Sequence, residues 1–178
     1  MAFDGITIAN LVFDLNQKVV SGRIAKIAQP EKDELLLTIK GNRENFRLLI
    51  SANASLPLLY FTETNKPSPM TAPNFCMLLR KHIANGRILS VTQPGFERIV
   101  RFEIEHLDEM GDLRRKYLIV ELMGKHSNII FCDENDMILD SIKHISAQVS
   151  SVREAATLSP IPGKRKIPWR SQRRNLSL

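Results

Sequence analysis

Residues 97 and 98, Glu-Arg, follow the turn pair Pro94-Gly95 and open a segment, IVRFEIEH, that alternates apolar and polar from Ile99. A charged pair in that position projects from the end of a strand. An arginine there can grip a phosphate or stack on a base, and a carboxylate can accept from an amine or a ribose hydroxyl. The commoner outcome for such neighbours is an exposed ion pair worth little. On the residues alone both readings stand. Arg80-Lys81-His82 can touch an RNA backbone, or can simply complement the C-terminal dipole of a helix. Lys125 and His126, after Gly124, can belong to a phosphate-binding loop or to a hairpin with solvated charges. Asp4 is placed to cap the first helix. Arg114-Arg115-Lys116 is the basic run of the body, and Asp108, Glu109 and Asp112 lie just before it.

Other chemistries lack their residues. There is no Ser-His-Asp motif, P-loop or dinucleotide fingerprint. His82, His106, His126 and His144 are scattered and show no metal-ligand spacing. Cys76 and Cys132 sit inside apolar runs, without a CxxC, and read as buried reduced thiols of a cytosolic protein. No metal and no cofactor are expected. The opening MAFDGITIAN lacks a basic stretch followed by an apolar one, and no run is long enough to cross a bilayer. The expected location is the cytoplasm, without a membrane partner.

The chain has 178 residues, enough for one domain with a sizeable core and a tail. Its formal net charge of +6 is unevenly placed. Lys164, Arg165, Lys166, Arg170, Arg173 and Arg174 lie beyond Gly163 with no acid among them; the remaining 19 basic residues equal the 19 acidic ones. The body is therefore neutral in sum, and the tail carries the excess.

These residues must be positioned by a β-rich scaffold. Residues 5–20 form a helix with Ile8, Val12, Leu15 and Val19 on its buried face, ended by Ser21-Gly22. A second helix occupies residues 72–86. Pro73 suits its first turn, Phe75, Leu78, Leu79 and Ile83 make one apolar face, and Gly86 stops it. Strands are expected at 23–29, 35–40, 45–52, 55–62, 87–93, 97–105 and 116–123, then a hairpin turning at Asp133-Glu134-Asn135-Asp136. Pro57 makes the fourth an edge strand. About eight strands and two helices without βαβ alternation argue for an α+β fold, an antiparallel sandwich or flattened barrel flanked by the helices. No internal repeat is visible. Residues 155–178 hold three prolines and the basic cluster, and read as a disordered tail. The domain is placed at 1–154.

Five stretches in order also resemble a known family. They are FDGI at 3–6, GRI at 22–24, FCMLLRKHI at 75–83, FERIVRFEI at 96–104 and VELMGKHSNII at 120–130. They resemble the N-terminal domain of the NFACT family, long labelled fibronectin-binding proteins. The resemblance implies a fold similar to the N-terminal domain of formamidopyrimidine-DNA glycosylases. It also implies a role in ribosome quality control. Members bind stalled large ribosomal subunits that hold a peptidyl-tRNA and recruit charged tRNA, in bacteria alanyl-tRNA, so that the stalled peptide gains a C-terminal tail. An Asp-Arg pair needed for tailing aligns with Glu97-Arg98, with glutamate in place of aspartate, and Asp4 matches another important acid. The expected partners are thus tRNA and the large ribosomal subunit, contacted by Glu97, Arg98 and Asp4, with Arg80, Lys81, Lys125 and His126 as backbone contacts.

Two rivals follow. Glycosylases of that fold use an N-terminal proline amine followed by a glutamate, whereas this chain starts Met-Ala-Phe-Asp, so glycosylase chemistry is not expected and the domain is read as non-enzymatic. The family label makes a fibronectin- or fibrinogen-binding adhesin at the cell surface the alternative. Family members continue into helical and coiled-coil domains, whereas after residue 154 this sequence reads AATLSPIPGKRK, so the expectation is of a truncated member with part of the full activity.

Overall fold

The computed structural model describes residues 4–144. The expected boundary at residue 154 and the basic tail lie outside them. Helix α1 (Gly5–Lys18) starts where Asp4, in extended conformation, accepts a hydrogen bond from the Thr7 backbone N–H at 2.7 Å. It buries Ile8 and Leu15, with Val19 following at its end. Strands β1 (Arg23–Glu31), β2 (Glu34–Lys40), β3 (Asn45–Ser51) and β4 (Leu58–Phe61) then form an antiparallel meander. Helix α2 (Asn74–Ile83) precedes a second meander: β5 (Arg87–Thr92), β6 (Ile99–Leu107), β7 (Leu113–Glu121), β8 (Asn128–Cys132) and β9 (Ile138–Ser141).

Among the described residues the fold is α+β, with two helices and nine strands in the order β4-β3-β2-β1-β5-β6-β7-β8-β9. β4 is an end of that order, as Pro57 implies. One face of both meanders lines a single core. Leu35, Leu37, Ile39, Leu48 and Ile50 from the first pack in one cluster with Val100, Phe102, Ile104, Leu118, Val120 and Phe131 from the second. Apolar residues of both helices join them, so each helix closes the core over a sheet that alone would leave it wet.

The expectation of no internal repeat is corrected by the structure. Residues 21–30, SGRIAKIAQP, and residues 85–94, NGRILSVTQP, occupy matching places after α1 and after α2. They join the halves symmetrically. Arg23 and Arg87 are Cα partners. Ser21 N–H donates to Ile88 O and Asn85 N–H to Ile24 O, both at 2.8 Å. Ile24 N–H donates to Gly86 O and Ile88 N–H to Gly22 O, both at 2.9 Å. The register shift in β1 between Ile24 and Lys26 recurs in β5 between Ile88 and Ser90.

The helices obey the same relation. Asn16 of α1 donates to the Val91 carbonyl at 2.7 Å, and Arg80 of α2 donates to the Ile27 carbonyl at 2.8 Å. Each helix thus docks on the first strand of the other half. In the sequence the repeat is short, ten residues in each half, and its meaning emerges only when the fold pairs the two copies.

The helix stops also differ from the sequence reading in their cause. The left-handed residues are Ser21 (φ 70°) and Asn85 (φ 64°), not the glycines after them. Gly22 and Gly86 serve close approach. A Cβ at Gly22 would lie 2.7 Å from Ile39 Cγ2, and one at Gly86 would lie 2.8 Å from Ile104 Cγ2.

Candidate nucleic-acid interface

Three segments converge at the start of β6. The first is the head of α1. Asp4 is exposed, and the Thr7 N–H it accepts holds its carboxyl below the usual carboxylate range. The second is the turn from Gln93 to Arg98. Gly95 is left-handed (φ 58°), and Glu97 N–H donates back to Pro94 O at 3.2 Å. The third is the end of β7, where Leu122 N–H donates to Arg98 O at 2.9 Å. Beyond it Gly124–His126 forms a 3-10 turn, braced by Met123 N–H donating to the buried Ser127 Oγ at 2.9 Å.

One side chain ties the first two segments together. Gln93 Nε2 donates to Gly5 O at 2.9 Å and to Glu97 O at 2.8 Å. Gly5 itself packs against the backbone of Phe96, so closely that a Cβ there would overlap the Phe96 carbonyl oxygen. Phe96, Glu97 and Arg98 are exposed, Phe96 as a residue at 83%. The corner therefore presents an acid, a guanidinium and an aromatic ring from a turn that Gln93 ties to the head of α1. Such a set can grip a phosphate, accept from a hydroxyl or amine, and offer a stacking surface.

The structure brings Asp4, Glu97 and Arg98 to this corner and sets the Gly124–His126 turn, with exposed Lys125 and His126, beside it. It places Arg80 and Lys81 elsewhere. Arg80 spends its Nε on the Ile27 carbonyl beneath α2. Lys81 faces Glu109, 3.9 Å away, in the turn beyond the far end of β6. That end is about 25 Å from the corner by strand rise. Arg114 and Arg115 are held by Asp108 and Glu134, and by Glu103, respectively. Sequence reasoning missed Gln93 and Phe96. The signal for Gln93 was the Gln-Pro that closes both copies of the repeat; for Phe96 it was an aromatic in a turn between Gly95 and a charged pair.

Among the described residues no group of three or more His, Cys, Asp or Glu side chains could hold a metal ion. Cys76 and Cys132 are free and buried, and burial pushes the Cys132 thiol up to about 12. Among the described residues no helix is long and apolar enough to cross a membrane.

The fold and the site together define an antiparallel α+β domain with a braced, charged and exposed corner. Comparison with known proteins places it more closely. The model of the NFACT N-terminal and middle domains matches residues 4–160. The Rqc2 homolog RqcH of Bacillus subtilis is 41% identical over 154 residues, covering 86% of this chain and 27% of that protein. The crystal structure of the N-terminal domain of fibronectin-binding protein PavA from Streptococcus pneumoniae aligns with a TM-score of 0.80 at 35% identity, over 94% of this chain and 59% of that one. The human relative, at 24% identity over 153 residues and 13% of its length, is named ribosome quality control complex subunit NEMF. The chain belongs to the NFACT family, and its relatives include proteins named Rqc2 homologs and ribosome quality control complex subunits. It spans about a quarter of the length of the bacterial relatives it matches.

Proposed function

We propose that this chain is the tRNA- and large-subunit-binding module of a ribosome quality control protein. In this reading it helps to position alanyl-tRNA while a stalled nascent chain is extended at its C-terminus. The domain carries no reaction of its own; peptide-bond formation belongs to the ribosome, and the site of action is the cytoplasm. Arg98 holds a tRNA phosphate or base, while Glu97 and Asp4 accept from ribose hydroxyls or base amines. Lys125 and His126 add contacts to the adjoining backbone. The observation that supports this reading is the convergence of Asp4, Glu97 and Arg98 at one braced corner, in a chain whose relatives are named for ribosome quality control. Glu97 in place of the family aspartate keeps the charge and carries it one methylene further out.

The test is tRNA affinity of the intact chain, of Arg98→Ala and of Glu97→Gln, each shown to fold by circular dichroism. A hydrogen bond to a charged partner contributes roughly 1.5–3 kcal/mol, so Arg98→Ala is expected to weaken binding about tenfold or more. Equal affinity for tRNA in all three would contradict the reading. The names of the solved relatives favour an adhesin as the second reading. Tight binding to immobilised fibronectin, without any to tRNA, would select it.

A further inference from the structure

The neutral body hides a segregation of charge. Strand register puts Lys40 of β2, Arg23 of β1 and Arg87 of β5 side by side, because Arg23 is the Cα partner of both others. Two residues further along β2, Thr38 lies between Lys26 of β1 and Arg47 of β3. All five cations are exposed. Their neighbours Ile24, Ile39, Leu48 and Ile88 belong to the shared core, so the five leave from the outer face of the sheet. Adjacent strands lie about 4.8 Å apart, so the first row packs three positive charges into about 10 Å.

Like charges directly opposite one another destabilise a sheet. Among the described residues none of the five forms an ion pair. Arg23 and Arg47 each spend one N–H on a carbonyl, of Asn85 and Glu63, which leaves their charge in place. Glu105, opposite Arg87, marks the limit of the patch.

The internal repeat supplies a control. The positions that match Lys26, Lys40 and Arg47 in the second half are Ser90, Glu105 and Tyr117. There, Arg87 aside, the arginines of the outer face are paired, Arg115 with Glu103 at 2.9 Å and Arg101 with Asp136. Helix dipoles explain only part of the patch. Arg23 and Arg87 follow helix ends, whereas Lys26, Lys40 and Arg47 do not. The apolar residues of this face, Ala28, Leu36 and Leu49, are buried, so it offers no greasy surface to a lipid or an apolar protein partner. Tyr60, exposed on β4 opposite Leu49, adds an aromatic ring at its edge.

We propose that the outer face of β1, β2 and β3, with Arg87 of β5, binds the phosphate backbone of RNA as a second contact surface. It lies at the other end of β5 from the Glu97-Arg98 corner, about 15–20 Å away by strand rise. The proposal rests on the reading of the domain as an RNA-binding module and extends it to a surface that reads no sequence.

The experiment measures affinity of the full chain for tRNA and for a 20-nucleotide polyuridine RNA over a range of salt. The variants are Lys26→Glu/Lys40→Glu/Arg47→Glu, the milder Lys26→Gln/Lys40→Gln/Arg47→Gln, and Arg98→Ala, with thermal melts to verify folding. Removing one cation from a phosphate lowers the log–log salt slope by roughly 0.7–0.9. The triple variants are expected to lose about 2 in slope and to weaken both RNAs alike, tenfold or more. Arg98→Ala is expected to act chiefly on tRNA. If Arg98→Ala is silent while the triple variants lose RNA, the surface stands and the corner falls. If folded triple variants keep wild-type affinity and slope for both RNAs, the proposal is overturned whatever Arg98 does. It is equally overturned if they lose binding only to vesicles containing phosphatidylserine.

Discussion

Gln93 closes the corner with one amide. Replacing it by leucine leaves the carbonyls of Gly5 and Glu97 without their donor. Lost partners of this kind cost about 1–3 kcal/mol where they stay dry, less where water reaches them. Gln93→Leu is therefore expected to lower the melting temperature by a few degrees and to weaken tRNA binding in the manner of Arg98→Ala, without removing any charge. A chemical denaturation curve and one binding titration check both parts. Gly5→Ala acts on the same joint from the other side, since its Cβ has to displace the Phe96 backbone. Cys132 presents the opposite case. With its thiol raised to about 12 by burial, it is expected to resist a maleimide for as long as the chain stays folded.

The two glycines that follow the helices make a matched pair at the scale of elements. A Cβ at either would meet a core isoleucine, Ile39 or Ile104, and a helix-terminal carbonyl. Gly22→Ala and Gly86→Ala are expected to destabilise by similar amounts, about 1–3 kcal/mol each. Denaturant midpoints would reveal it, and a large inequality would speak against an equivalent seam.

The joint between α2, β6 and β8 adds a pH dependence. His82 and His106 face each other edge to face, with Phe131 beside His82 and Lys116 Nζ 3.1 Å from His106 Nε2. Burial, helped by Lys116, holds both imidazoles below their ordinary 6.5. Above 6.5 both are neutral in folded and unfolded chains alike. Below it the unfolded chain takes up protons that the folded one refuses. Stability is expected to fall as pH drops from about 7 towards 5, and less steeply in His106→Gln. Melts across that range give the answer.

Much of this layer was legible in the sequence. Asp4 announces α1 because a capping side chain and a periodic apolar face act locally. Pro57 announces an edge strand because it cannot donate to a ladder. The β1–β5 seam was not legible, because it pairs residues 23 and 87, and nothing local to either names its partner. The corner was half legible. Its charged pair stood out, but Gln93 reaches Gly5 across 88 positions of sequence, and only the folded chain brings them together.

At the scale of the molecule, the described residues form two halves built on a shared repeat and put to unequal use. Both halves repeat the same helix stop, the same seam and the same shifted strand. Among the described residues the unpaired cations of the outer face lie in the first half and at Arg87, where the second half begins, and the rest of the second half carries the Glu97-Arg98 corner and the ion pairs of that face. A net charge summed over the chain conceals this division. The corner and the basic face lie at different ends of β5, so one RNA long enough to follow the sheet could engage both. At higher salt the contribution of the basic face is expected to fade first, leaving the hydrogen-bonded contacts of the corner. The difference in affinity between wild type and Arg98→Ala should therefore persist at roughly 300 mM salt, on the order of tenfold, while overall binding weakens. Parallel titrations at two salt concentrations measure it.

Photo-crosslinking asks whether the braced corner touches tRNA. A benzophenone side chain placed at the exposed position 96 of the full chain would be irradiated with tRNA. A second protein carrying it at position 110, exposed in the turn beyond the far end of β6, serves as the reference. A tRNA adduct is expected from position 96 that excess unlabelled tRNA competes away and that Arg98→Ala diminishes, with little from position 110. Equal adducts from both positions, or none from position 96 under conditions where the chain binds tRNA, would contradict it.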